Sequence, residues 1–252
     1  MIISHEHKYL FLEIPHTAST AISRELQDMY GGIKILHKHA HYLEFQRIAS
    51  EEEKQYFVFA GLRNPLDEAV TKYFKFKVNH KNKYTSPDRL MKNGGNVTAG
   101  NIKKFNFIRE NGADFPAFLK KFYRLPYSNI VSVSYEYCDF LIRFEHLADD
   151  FAKALELIGL EQKRPLPRRN KTNQRSQDYQ SYYTPEIRPL AKRIFGPFMK
   201  KWNYDFPPEW GADRIPWPSQ LSFYVIDFLK NINWKYVRWS PYFYGQLFRR
   251  FR

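Results

Sequence analysis

The stretch from Leu10 to Arg24, LFLEIPHTASTAISR, limits what this chain can fold into more than any other. An apolar run, Tyr9-Leu10-Phe11-Leu12 and then Ile14, reads as a buried strand. A loop of small and hydroxyl-bearing residues comes next, Pro15-His16-Thr17-Ala18-Ser19-Thr20. Apolar residues then recur at Ile22, Leu26 and Met29, close to helical spacing. A strand, a tight polar loop and a helix in succession make a cradle for an anion. The loop amides and the helix N-terminus converge on one place, where hydrogen bonds and the helix dipole favour negative charge. The same residues also read as a polar turn capped by Thr and Ser.

The loop has no G-x-x-x-x-G-K-[ST] pattern and too few glycines for a dinucleotide fingerprint, which argues against an ordinary ATPase, GTPase or dehydrogenase. The chain has 252 residues, enough for one substantial core with appendages. Its net charge of +14 calls for an anionic partner: a nucleotide, an acidic polysaccharide, nucleic acid or an anionic membrane surface. A single cysteine, Cys138, leaves no internal disulfide framework and no Cys-rich zinc site. The N-terminus lacks the apolar segment of a signal peptide, and no stretch approaches the length of a membrane span, so a soluble cytoplasmic protein is expected.

A second strand-loop-helix unit runs from Tyr56-Phe57-Val58-Phe59-Ala60-Gly61-Leu62 through Arg63-Asn64-Pro65 into LDEAVTKYFKF. Arginine at a strand end can fork onto a phosphate. Residues 79–104 read as a long polar loop and Asp114 to Tyr123 as a short helix. Ile130 to Ser134 and Asp139 to Glu145 read as further strands, and Ala148 to Leu160 as an amphipathic helix. Between the first two units, Ile33 to Leu36 reads as a short strand, followed at once by His37, His39 and His41. Three roles are open for these histidines: metal ligation, for which no carboxylate or cysteine pattern completes a set; surface or helix-capping positions; and catalysis, since a neutral imidazole is a natural base for an alcohol.

Pro15 to Thr20 resembles the 5′-phosphosulfate loop of sulfotransferases, P-K-T-G-[ST]-[ST]. Arg63-Asn64-Pro65-Leu66-Asp67-Glu68-Ala69-Val70-Thr71-Lys72-Tyr73 is similar to their 3′-phosphate element, R-N-P-x-[DE]-x-x-x-S-x-[YF], with Thr71 in place of serine. Ile142-Arg143-Phe144-Glu145, followed by Leu147, Asp150 and Phe151, resembles a further segment of carbohydrate and bacterial members, where Arg143 and Glu145 read as scaffold. Asn170-Lys171-Thr172 matches in kind a segment that closes over the nucleotide, and Asn203 to Phe206 resembles the closing string.

The resemblance implies an α/β fold: a central, mostly parallel sheet flanked by helices, as a P-loop-like three-layer sandwich over residues 1–210. An aromatic and basic extension over residues 211–252 lies outside it. It implies transfer of the sulfuryl group of 3′-phosphoadenosine 5′-phosphosulfate (PAPS) to a hydroxyl, on a carbohydrate or glycan, with no metal. Pro15, His16, Thr17, Ala18, Ser19 and Thr20 would hold the 5′-phosphosulfate, Arg63 and Thr71 the 3′-phosphate, and Lys171 would close over the nucleotide. His39 best matches the family's catalytic histidine, with His41 second. His16 departs from the usual lysine; it can act as the leaving-group acid, or the chain can be a non-catalytic binder of nucleotides or polyanions. A nucleic-acid protein is disfavoured because no helix-turn-helix, zinc-finger or RNP string is present. From Trp217 to Arg252 the tail carries twelve aromatics, six Lys or Arg and one Asp. Such a composition suits peripheral membrane contact or packing on the domain.

Overall fold

The computed structural model describes residues 1–129, 132–167, 177–212 and 214–237. Its contacts group into two units. Among the described residues, unit 1 takes in residues 1–63, 128–129, 132–167 and 224–237, and unit 2 takes in residues 64–127, 177–212 and 214–223.

Unit 1 carries a five-stranded sheet, giving the chain an α/β fold. The elements in chain order are β1 (Ile2–Ser4), β2 (Tyr9–Leu12), α1 (Ser19–Met29), β3 (Ile33–Lys34), α2 (Tyr42–Gln46) and β4 (Phe57–Leu62). The strand order is β3-β1-β2-β4, with a fifth strand over Phe140–Arg143 beside β4. β4 pairs in parallel with both β2 and Phe140–Arg143, while β1 runs antiparallel to β2 and β3. The sheet is therefore mixed: β2, β4 and Phe140–Arg143 form its parallel part, and it is completed antiparallel by β1, which the sequence reading did not name, and by the short strand expected over Ile33 to Leu36. All four residues of β2 are buried, as a continuous apolar run demands at an interior strand. On one face Tyr9, Phe11, Phe59 and Ile142 pack with Ile22, Leu26 and Tyr30 from α1 and its end, and with Phe151, Ala154 and Leu155. The Tyr9 hydroxyl donates to the Tyr30 carbonyl (2.8 Å), so even the polar tip of this core tyrosine is satisfied.

The parallel register sets the site. Leu12 lies opposite Ala60, and Leu62 opposite Arg143. The C-terminal ends of three parallel strands thus share one edge, the edge at which open α/β sheets bind ligands. Residues 132–137, partly expected as strand, form a 3₁₀ turn instead. The Ser134 hydroxyl there accepts from the Tyr42 amide (3.0 Å), and Tyr135 donates to the Gly61 carbonyl (3.2 Å). Ile130 and Val131 lie outside the described residues.

Unit 2 is helical, with α3 (Pro65–Lys77), α4 (Ala99–Asn111) and α5 (Phe115–Phe122). Asn64 caps α3 by accepting from the Leu66 amide (2.9 Å), and Pro65 occupies its first turn. The long loop expected over residues 79–104 is shorter, because α4 starts at Ala99 behind a Thr98 cap. Only Phe105 and Ile108 of α4 are buried, too few to mark a helical stripe in the sequence. Returning to unit 1, β5 (Phe140–Arg143) leads into α6 (Leu147–Leu157). In unit 2, α7 (Arg188–Lys201) comes after a 3₁₀ turn at Pro185–Ile187. Phe195 and Phe198 of α7 pack with Tyr127, and Phe195 also with Tyr123 and Tyr183, as an aromatic core. The last described helix is α8 (Trp217–Ile232), which runs into a π-helical turn, Asn233–Val237.

Candidate active site

The loop after β2 is wound by two residues of left-handed backbone. His16 has φ 69° and Ala18 φ 60°, while their neighbours Thr17 and Ser19 stay on the ordinary side. Alternation of hand is the backbone pattern that lets successive amides face one side, as in an anion-binding nest. Ala18 is the N-cap of α1 and has no side chain with which to cap. The first turn of α1 also carries no acid, so the positive end of the dipole is not neutralised from within. The Thr17 hydroxyl, expected on the ligand, donates to the Ile14 carbonyl (2.9 Å) and is buried; it locks the loop.

The second motif meets this loop. A Cβ added to Gly61, near the end of β4, would sit 2.6 Å from Thr17 Oγ1 and 2.7 Å from the Thr17 carbonyl oxygen. Only glycine lets strand and loop approach so closely. Two residues on, the buried Arg63 donates from Nη1 to the His16 carbonyl (3.1 Å), and its guanidinium lies 4.1 Å over the Phe144 ring. Phe144 directly follows β5. The sequence assigned Phe144 no role, because its importance depends on the pairing of β5 with β4.

The histidine segment divides by role. Nδ1 of His39 lies 2.5 Å from the Glu13 carbonyl. A carbonyl can only accept, so Nδ1 carries the proton and Nε2 keeps its lone pair. Burial pushes the His39 pKa below the ordinary value, and the charge of Lys38 adds to this against the opposing pull of the Glu13 carbonyl. His39 is therefore a neutral imidazole with a fixed tautomer. His41 is fully buried. Its Nδ1 accepts from the Leu43 amide (3.1 Å), capping α2, and its ring stacks on Trp234 at 4.4 Å. That lone pair is spent on the helix, which places the second-choice base in a capping role. His37 is exposed and faces Glu44 (3.0 Å). The three histidines thus have three separate sets of partners. Among the described residues no group of three or more His, Cys, Asp and Glu is placed to hold a metal ion.

A lysine that sequence reasoning passed over belongs to this site. Lys38 Nζ donates to Thr20 Oγ1 (2.8 Å), in the first turn of α1. The contact spans eighteen residues, so no local motif signals it. Glu13, whose carbonyl holds His39, is a buried carboxylate held below its usual range. Burial works against that shift, but the N-terminal ammonium, Ser23 and Lys38 outweigh it.

Thr71 lies in α3 of unit 2 and is buried. Lys171 lies outside the described residues. A cavity of about 500 Å³ in unit 2 is lined by Phe76, Lys77, Phe105, Ile108 and Arg109 among others, and shares no residue with the loop.

A sequence model of the sulfotransferase family matches residues 1–201. The chain belongs to the sulfotransferase family. The match covers both strand-end motifs, the histidine segment and β5, and stops short of α8. Sulfuryl transfer is accordingly the general class of its chemistry. No curated protein and no solved structure matches the chain.

Proposed function

We propose that this sulfotransferase takes the sulfuryl group of PAPS and transfers it to a hydroxyl of a carbohydrate or glycan. One observation carries the reading: Arg63, at the end of β4, reaches back to the His16 carbonyl of the loop after β2. The two motifs that would hold opposite ends of a bisphosphorylated adenosine thus meet at one sheet edge. The site fits that donor, with a nest and a helix N-terminus for one phosphate and a buried arginine for the other. The resemblance adds the Thr71 hydroxyl for the 3′-phosphate.

PAPS would supply the sulfuryl group, with the electron pair of its phosphate–sulfur bridge leaving on the 5′-phosphate. The chain's part is positioning, charge and a proton acceptor. Nε2 of His39 takes the proton of the attacking hydroxyl, for which its fixed tautomer and lowered pKa prepare it. The amides at the start of α1 stabilise the charge that gathers on the leaving phosphate. His16 stands where the family has lysine, and Lys38, anchored on Thr20, supplies a full positive charge at the same helix end. This contact favours an active enzyme over a binding protein that lost its cation. The net charge of +14 suits an acidic polysaccharide as acceptor.

The test is incubation of the full chain with sulfur-labelled PAPS and a panel of glycans and small alcohols. Label should pass to an acceptor, and Arg63→Ala should abolish it. Binding of adenosine 3′,5′-bisphosphate without any label transfer would leave the binding-protein reading. Absence of both would reject the reading altogether. His16→Ala and Lys38→Met then separate the two cations: equal activity of Lys38→Met and wild type would return the whole role to His16.

A further inference from the structure

Helix α8 carries a broad apolar face on its outer side. Surface helices usually turn apolar residues inward and polar ones to water. In α8 the exposed large apolar residues are Trp217, Leu221, Tyr224, Val225, Phe228 and Leu229, each between 47% and 73% accessible, with Pro218 and Ser222 exposed among them. They recur at helical spacing and make one stripe. The inward positions are Phe223, buried, and the half-buried Ile226, joined by three polar residues: Ser219 and Asp227, both buried, and Lys230, which is half-buried. These inward polar groups are satisfied. The Ser219 hydroxyl donates to the Arg193 carbonyl in unit 2, and Lys230 Nζ donates to the Ser128 hydroxyl in unit 1. Beyond α8, Trp234 turns inward onto His41, while Lys235, Tyr236 and Val237 face outward. In α8, Phe223 serves the interior together with these polar groups, while Trp217, Leu221, Val225, Phe228 and Leu229 stay outside, so the outer face is suited to an apolar medium.

We infer that this face of α8 seats the protein on the interface of an anionic lipid bilayer. Three features favour that occupant. Trp, Tyr, Phe and Leu on one face of a helix is the composition of interfacial segments. The charge is complementary: the chain has 40 Lys and Arg against 26 Asp and Glu, and after Asp227 the sequence has no acidic residue but five more Arg or Lys beyond Lys230. Among the described residues no helix is long and apolar enough to cross a membrane, and the exposed apolar residues of α8 run along one side of the helix, as contact in the plane of an interface requires. The inference does not depend on the sulfuryl-transfer reading, because no residue of the loop, of Arg63 or of the histidine segment belongs to this face.

The experiment is co-sedimentation of the full chain with vesicles of phosphatidylcholine, alone or mixed with phosphatidylglycerol, alongside sedimentation velocity without lipid. Wild type should bind the mixed vesicles and bind those of phosphatidylcholine alone far more weakly. The double variant Phe228→Ser, Leu229→Ser should lose at least about tenfold in vesicle affinity, because two large apolar side chains no longer leave water. Both sites are exposed, so its melting temperature should match wild type. Lys235→Glu should weaken binding severalfold, and added salt should weaken it for every variant. Wild-type binding by the double variant, or no binding by wild type, would overturn the inference. So would a dimer in lipid-free solution that the double variant abolishes, with no affinity for vesicles, since the face would then seat a second copy.

Discussion

Gly61 is the residue through which strand β4 and the loop after β2 touch, and its replacement by alanine gives a sharp test. The added Cβ would lie 2.6 Å from Thr17 Oγ1, 2.7 Å from the Thr17 carbonyl oxygen and 2.8 Å from Thr17 Cβ. Ordinary contact begins at 3.4 Å, so the loop must retreat by roughly 0.8 Å. It has little freedom to do so: Thr17 is tied to the Ile14 carbonyl, and the His16 carbonyl to Arg63. Overpacking of this kind costs about 1–3 kcal/mol. For a chain of this size that lowers the melting temperature by about 2–12 °C. Displacement of the nest should also remove at least one charge-assisted hydrogen bond to the nucleotide, which is worth about 1.5–3 kcal/mol. The dissociation constant for adenosine 3′,5′-bisphosphate should rise by about 10- to 150-fold. The control is Gly159→Ala, also in unit 1, at φ 74° with no atom within 4 Å of the new Cβ. It carries backbone strain of about 1–2 kcal/mol and should leave affinity unchanged. Calorimetric titration of both variants decides the matter. If Gly61→Ala lost stability but bound the nucleotide as wild type does, the loop would not be the phosphate site.

The other expectations come from the same geometry. The His39 pKa lies below the ordinary 6.5, so its base form predominates at neutrality; the acidic limb of the pH–rate profile should fall below 6.5, and Lys38→Met should move it upward while lowering the rate. An acidic limb at or above 6.5 in wild type would exclude His39 as the base. His41→Ala removes a helix cap and should cost about 0.5–2 kcal/mol in thermal unfolding without moving the pH profile, whereas His39→Ala should stop transfer. Ala18→Gly relieves left-handed backbone and should stabilise the fold by about 1 kcal/mol, read as a higher melting temperature with nucleotide affinity retained.

The parts legible in the sequence are those written contiguously. Tyr9 to Leu12 and Phe57 to Leu62 are unbroken apolar runs, and each is followed within three residues by its motif, so strand, loop and helix could be named together. The parts that escaped depend on distant pairing. Phe144 matters because β5 lies in register beside β4, which brings its ring under Arg63. Lys38 matters because a bend carries it to Thr20. His41 looked like a chemical group in a cluster of three, yet its ring is buried against Trp234, a residue far along the chain. Helix α4 escaped because its two buried residues leave almost no periodic signal. The outward apolar face of α8 was also hidden, since an apolar stripe in a sequence does not say which way it points.

The central claim is that Arg63 and the loop at Pro15 to Thr20 grip two phosphates of one nucleotide. Its most direct measurement is the affinity of the full chain for adenosine 3′,5′-bisphosphate against that for adenosine 5′-monophosphate, in wild type and in Arg63→Ala. Wild type should prefer the bisphosphate by at least about tenfold, as a lost charge-assisted contact implies, and Arg63→Ala should erase that preference. Equal affinities in wild type, or a preference that survives Arg63→Ala, would contradict the claim.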